Sequence, residues 1–192
     1  ERNVGWDAGE RKVRARRVHK LGAVILTEQP FEPDAGEIQQ ALIEGIRSVG
    51  LRCLTWNKET ERFCSRVQWA RRVKADLPDL SNAALESSIA GWLGPFLGGL
   101  WKLEQLQKLR LGEILRSMFS PHQLRELDRF APSHVQVPSG SRIALEYTVT
   151  DHPALSVKLQ ELFGLTETPR IAGGTVPVTI HLLSPAGRPL AV

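Results

Sequence analysis

Cysteine is nearly absent: Cys53 and Cys64 are the only two in 192 residues. No second Cys pair or His pair stands at metal-ligand spacing, and a zinc site needs about four such ligands. The two are read as ordinary reduced thiols, which favours a cytoplasmic location. Long hydrophobic runs are missing too. The longest strongly apolar stretches span about eight residues, roughly a third of a membrane-spanning helix. No apolar segment follows the N-terminal charges as a targeting peptide requires, so no membrane partner is expected. An initiating methionine is also absent. The chain starts at Glu1 and stops on the apolar Pro189-Leu190-Ala191-Val192, and it reads as a piece of a longer protein.

Catalytic signatures are the next absence. A phosphate-binding P-loop needs a glycine-rich loop ending in Lys-Ser or Lys-Thr, so that backbone N–H groups cradle the phosphates and the lysine meets their charge. The two Gly-Gly pairs, Gly98-Gly99 and Gly173-Gly174, are not followed by that lysine, and these glycines are read as structural. His19, His122, His134, His152 and His181 are scattered over different segments with no Gly-x-Ser-x-Gly elbow, so no nucleophile and base are indicated. His181 stands in an apolar run and is expected to be a hydrogen-bonded core residue. The carboxylate pairs Glu59/Glu61 and Glu126/Asp128 are expected on solvated helix faces. No catalytic residue, metal ligand or cofactor is assigned to this chain.

What is present is apolar content of 42%, enough for one large domain or two small ones. The expected class is α+β: an N-terminal basic β-hairpin, a central mostly helical region and a C-terminal small β-sheet with one helix. Lys12 to Lys20 and Ala23 to Glu28 read as two strands with Gly22 between them. Asp34 is placed to cap a helix carrying Ile38, Leu42 and Ile46, which Gly50 closes. A second helix runs from Asn57 towards Pro78 with Phe63, Val67, Ala70 and Val73 on one face. Arg62, Arg66, Arg71, Arg72 and Lys74 surround that stripe, a secondary candidate for nucleic-acid contact whose safer reading is a solvated helix surface. Ser81 starts a third helix that stops near Gly94-Pro95, and Ser120-Pro121 starts another that reaches Phe130. Trp56, Trp69, Trp92 and Trp101 lie among other apolar residues and are read as anchors of core or domain contacts. The period then changes. His134 to Val137 and Arg142 to Val149 read as strands around Pro138-Ser139-Gly140, Ala154 to Phe163 as a helix capped by Gly164, and Val176 to Leu183 as an apolar strand. Leu190 to Val192 would begin a returning strand.

The sharpest chemical signal is the run from Arg11 to Lys20. Arg11, Lys12, Arg14, Arg16, Arg17 and Lys20 place six positive charges in ten residues without a carboxylate among them. Alternation along a strand puts Val13 and Ala15 on one side and Lys12, Arg14 and Arg16 on the other. A basic strand face can lie along a phosphate backbone and release its counterions. It can equally protect a sheet edge from unwanted pairing, or meet a neighbouring domain. These readings stand side by side, and the overall formal charge of +4 permits nucleic-acid binding without requiring it.

The run Leu159 to Gly174, Val176-Pro177-Val178 and His181 to Pro189 closely resembles the C-terminal region of HrpB-type bacterial DEAH-box ATP-dependent RNA helicases. Supporting matches are Leu127-Asp128, Ala131-Pro132-Ser133-His134, Val137 to Ser141, Arg16-Arg17 and Leu21-Gly22-Ala23. The resemblance implies a parent with two RecA-like ATPase domains that binds ATP and Mg, remodels RNA and carries this region as an accessory. It further implies that residues 1–31 end an OB-like region, that 32–131 form the helical part of a family-specific extension, and that 132–192 form its α+β part. RNA or another nucleic acid and the parent's own helicase core domains are the implied partners. The phosphate-loop and DEAH motifs are wholly absent here, so no catalytic residue carries over.

Overall fold

Capping chemistry defines the first helix. Asp34 accepts from the Glu37 amide at 2.8 Å and Glu37 accepts from the Asp34 amide at 3.0 Å. This reciprocal pair satisfies two of the orphan N–H groups of a helix start. The helix, α1, spans Ala35–Val49 and ends at Gly50, whose φ of +85° suits glycine best. The computed structural model to which it belongs describes residues 1–21, 24–74, 76–148 and 152–190, with Lys20, Leu21 and Val24 described by backbone alone. The chain divides into two compact units, Glu1–Asn57 with Ser81–Arg116, and Lys58–Leu80 with Ser117–Val192.

In the first unit, β1 (Arg2–Asp7), β2 (Lys12–Leu21) and β3 (Val24–Pro30) form an antiparallel sheet in that order. The expected hairpin is thus the β2–β3 part of a three-stranded sheet. β2 is its middle strand, so the edge-protection reading of the basic run does not hold. β1 pairs along β2 from Arg2 opposite Arg17 to Asp7 opposite Lys12. Gly22, between the two expected strands, lies outside the described residues. α1 packs on β1 where Gly45 takes the flat of the Trp6 ring, close enough that any Cβ there would overlap the indole. The indole N–H is buried without a partner among the described residues, a cost offset by the ring packing. Leu42 and Ile46 of α1 are fully buried.

The third helix of the sequence reading is two short segments, α3 (Asn82–Ser87) and α4 (Ile89–Trp92), broken at Ser88. Ser81 caps the first of them, and the Trp92 indole donates to the Leu85 carbonyl at 2.8 Å. The following chain passes beside β2, where Val13 N–H donates to Trp101 O at 2.8 Å and Leu103 N–H to Arg11 O at 3.1 Å. Gln105 holds this crossing by accepting from the amides of Trp101 and Lys102. A 3-10 turn (Leu103–Lys108) and α5 (Leu111–Ser117) follow.

The second unit contains α2 (Lys58–Arg71), α6 (Pro121–Phe130) and a four-stranded sheet ordered β4 (His134–Gln136), β5 (Arg142–Glu146), β6 (Ala154–Lys158), β9 (Thr179–Leu183). Ser120 caps α6 with Pro121 in its first turn, as read from the sequence. Phe63 meets Phe119 edge to face at 5.5 Å, and Trp69 leans on Tyr147 at 5.2 Å. Burial pushes the Tyr147 hydroxyl far above its usual range, and it donates to Pro132 O at 2.6 Å.

Several expectations change here. Ala154 to Phe163 is not a helix but strand β6 followed by a 3-10 turn, Leu159–Leu162. Leu155 and Val157 alternate into the core, and β6 pairs in parallel with β9. Such pairing needs a crossover of a dozen or more residues. The turn and the small hairpin β7 (Arg170–Ile171) with β8 (Val176–Pro177) supply it. The expected strand Val176 to Leu183 is accordingly divided between β8 and β9. Val73 lies beyond the end of α2 and is 53% exposed rather than part of its apolar face. Arg66 is 7% exposed rather than solvated, and its guanidinium donates to Ala131 O and Asp128. Val149 falls outside the described residues, as do Ala191 and Val192, though Leu190 N–H reaches Leu182 O at 2.9 Å. Among the described residues no helix is long and apolar enough to cross a membrane.

Candidate nucleic-acid interface

The basic run occupies the centre of the first sheet, and its neighbours decide how much of its charge is available. Asp7 and Glu10 flank the β1–β2 turn, where Asp7 Oδ1 accepts from the Glu10 amide at 2.9 Å. Arg11 completes the turn at a φ of +52°, a backbone region uncommon outside glycine. Lys12 is ion-paired with Glu10. Arg14 bridges Asp7 at 2.8 Å and Glu10. Arg16 is ion-paired with Glu28 of β3. Three carboxylates thus meet three of the six cations, and all three lie outside the cationic run in sequence.

Among the described residues no carboxylate pairs with Arg11 or Arg17. Alternation places Arg17 on the side of Val13 and Ala15. There its guanidinium stands 6.0 Å from the centroid of Phe31, and that of Arg2 stands 4.7 Å from the same ring. Lys20 belongs to β2, but its side chain lies outside what is described. An open groove of about 410 Å³ runs beside β2, lined by Lys12 to Arg16 and by Glu28 to Pro30. The carboxylates respond to their partners. The Glu10 amide, then Arg14, hold the Asp7 carboxyl below its ordinary value, and the Lys12 ammonium does the same to Glu10.

The second helix surface is likewise engaged. Arg71 donates to Leu77 O and stands 3.5 Å from Asp79, and Lys74 pairs with Glu126 while lying 5.3 Å from the Phe130 ring. Glu126 is held below its ordinary value chiefly by the hydrogen bond from Lys74, so it is not the freely solvated carboxylate expected of that pair. Trp69 and Trp92 are buried in helical packing. Cys53 and Cys64 are both free thiols, and burial pushes the Cys64 thiol up to about 11. Among the described residues no group of three His, Cys, Asp or Glu is placed to hold a metal ion.

A larger depression, about 800 Å³, lies in the second unit, and no local motif signals it. Glu146, Thr148, His152, Thr179 and His181 stand around it. His181 is exposed there rather than buried in the core, because β9 directs Thr179 and His181 to the face opposite Ile180. The parallel pairing of β6 and β9 brings the segments of His152 and His181 together, a long-range event without a local signature.

Comparisons with known proteins agree with one another. The family model described as ATP-dependent helicase C-terminal (HrpB_C) matches residues 92–192. The ATP-dependent RNA helicase HrpB of Escherichia coli strain K12 is 36% identical over 192 residues, covering 98% of this chain and 24% of that protein. The crystal structure of E. coli DExH-box NTPase HrpB superposes with a TM-score of 0.81 at 36% identity, covering 100% of this chain and 24% of that one. That of E. coli DEAH/RHA helicase HrpB gives 0.77 at 34% identity with the same coverage. The chain spans about a quarter of the length of these relatives.

Proposed function

The chain belongs to the ATP-dependent helicase C-terminal family of HrpB type, and from that membership we propose that it is the accessory C-terminal part of an ATP-dependent RNA helicase and assists nucleic-acid binding. ATP and Mg are handled by the parent's core domains in a cytoplasmic enzyme, and none of the present residues takes part in hydrolysis. The observation that carries the RNA contact is the placement of Arg11, Lys12, Arg14, Arg16, Arg17 and Lys20 on or beside one strand with an open groove along it. RNA phosphates replace Asp7, Glu10 and Glu28 as partners of the paired cations, while Arg11 and Arg17 contribute charge that no carboxylate balances among the described residues. The binding is consequently salt-dependent.

The test is fluorescence anisotropy of a labelled oligouridylate of about twelve nucleotides, between about 50 and about 200 mM salt. The unmodified chain should weaken steeply with salt, and a variant with Arg14, Arg16 and Arg17 changed to Ala should bind less tightly, with a log-log salt slope smaller by about two. Equal affinity and slope in the two proteins would remove the sheet's assigned role. A second reading, a packing module of the parent that never touches RNA, is favoured by the ion pairs that already engage Lys12, Arg14 and Arg16. It predicts no RNA binding by the unmodified chain.

A further inference from the structure

The depression in the second unit has the attributes of a ligand site. Its volume of about 800 Å³ lies inside the usual range for such sites, about 300–1,000 Å³. Strand register explains its shape. On the inner face of the sheet Leu145, Leu155 and Val157 are buried, while on the outer face Glu146 pairs with Ala154, Ala154 with Thr179 and Ser156 with His181. Small Ala154 between two longer side chains leaves the dip. Val73 and Val176 supply further apolar lining, and an edge of Trp69 reaches it.

The rim is distinguished by what it does not do for the fold. Among the described residues the side chains of Glu146, Thr148, His152, Thr179 and His181 make no hydrogen bond or ion pair within the protein, yet all five border one hollow. They comprise one carboxylate acceptor, two hydroxyls and two imidazoles, whose rings are flat and able both to stack and to hydrogen-bond. Arg72 adds a cation to the lining. Unstacked RNA bases are recognised by stacking on aromatic rings, His included, together with hydrogen bonds along the base edge. A mixed rim over an apolar floor, with a cation beside it, matches a base and its phosphate better than it matches an acyl chain or a purely anionic ligand.

We propose that this depression seats an unstacked base of single-stranded RNA. The base lies against Ala154, Val176 and the imidazoles of His152 and His181. Glu146 and the threonines meet its edge, and Arg72 faces its phosphate. This site rests on the reading of the chain as part of an RNA helicase, and its lining comes from the second unit alone.

The experiment uses the intact chain and labelled oligouridylate. Changing His152 and His181 together to Ala should weaken binding at least tenfold with an unchanged thermal melt, whereas the variant lacking Arg14, Arg16 and Arg17 retains the part of its affinity that depends on the histidines. Wild-type affinity in H152A/H181A overturns the groove and leaves the helicase reading standing. No RNA binding by the unmodified chain overturns both the groove and the proposed role of the chain in nucleic-acid binding. A second measurement needs no variant: RNA should protect His152 and His181 from diethylpyrocarbonate, and equal modification with and without bound RNA overturns the assignment.

Discussion

The two sheets of this chain invert what a count of charges implies. The first carries six cations in and beside its central strand, yet Asp7, Glu10 and Glu28 already engage Lys12, Arg14 and Arg16. The second sheet shows little charge in sequence, yet it surrounds a hollow with five polar side chains that have no partner within the protein among the described residues. Exposed ion pairs contribute modestly to stability, about 0–1 kcal/mol each, so phosphate can displace a carboxylate at small cost. Available chemistry therefore depends on which groups are already satisfied, and that depends on neighbours brought in by the fold.

The division of the second sheet into a structural inner face and an unengaged outer face is most exposed to test at Leu155, which is fully buried. Leu155→Ala should lose about 2–5 kcal/mol in denaturant unfolding; a loss below about 1 kcal/mol would show that the inner face is not the core described. In the first unit, Gly45→Ala should cost about 1–3 kcal/mol through overlap with Trp6. A smaller side chain in place of Trp6 should recover part of that loss in a double-mutant cycle, and simple additivity of the two changes would argue against the contact.

The acid limb of the stability curve compares the sheets more gently. Asp7 and Glu10 have folded pKa values below their ordinary 3.8 and 4.5. Their stabilisation is therefore complete above those ordinary values and disappears as pH falls through the lower, folded ones. Asp7→Asn with Glu10→Gln should flatten the pH dependence of Tm below about 4.5. An unchanged acid limb would mean that these ion pairs contribute nothing. The smallest effect is expected at His181→Ala, within about 0.5 kcal/mol. A larger loss would give His181 a structural role and spoil the contrast with Leu155 on the same sheet.

Local chemistry was readable wherever it acts over a few residues. Asp34 and Gly50 bound α1 as their side-chain and backbone preferences require, and Ser120-Pro121 starts α6. The α+β class and the basic hairpin also follow from periodicity. Long-range pairing was not readable. Leu155, Leu159 and Leu162 are spaced as on a helix, but Leu155 and Val157 also alternate, and parallel pairing with β9 decides the matter. β1 becomes a strand by pairing with β2. Asp7 and Glu10 precede the cationic run and Glu28 follows it, so a count restricted to residues 11–20 hides the carboxylates that the sheet register brings back. His181 illustrates the converse error: a strand of apolar composition still has an outer face.

Both proposed RNA surfaces can be tested at once by crosslinking the intact chain to oligouridylate containing 4-thiouridine and mapping the modified peptides. RNA contact at both sheets predicts crosslinks along residues 11–20 and in the segments carrying His152 and His181. A chain that yields no crosslink at either place, under conditions in which it is folded, would contradict it.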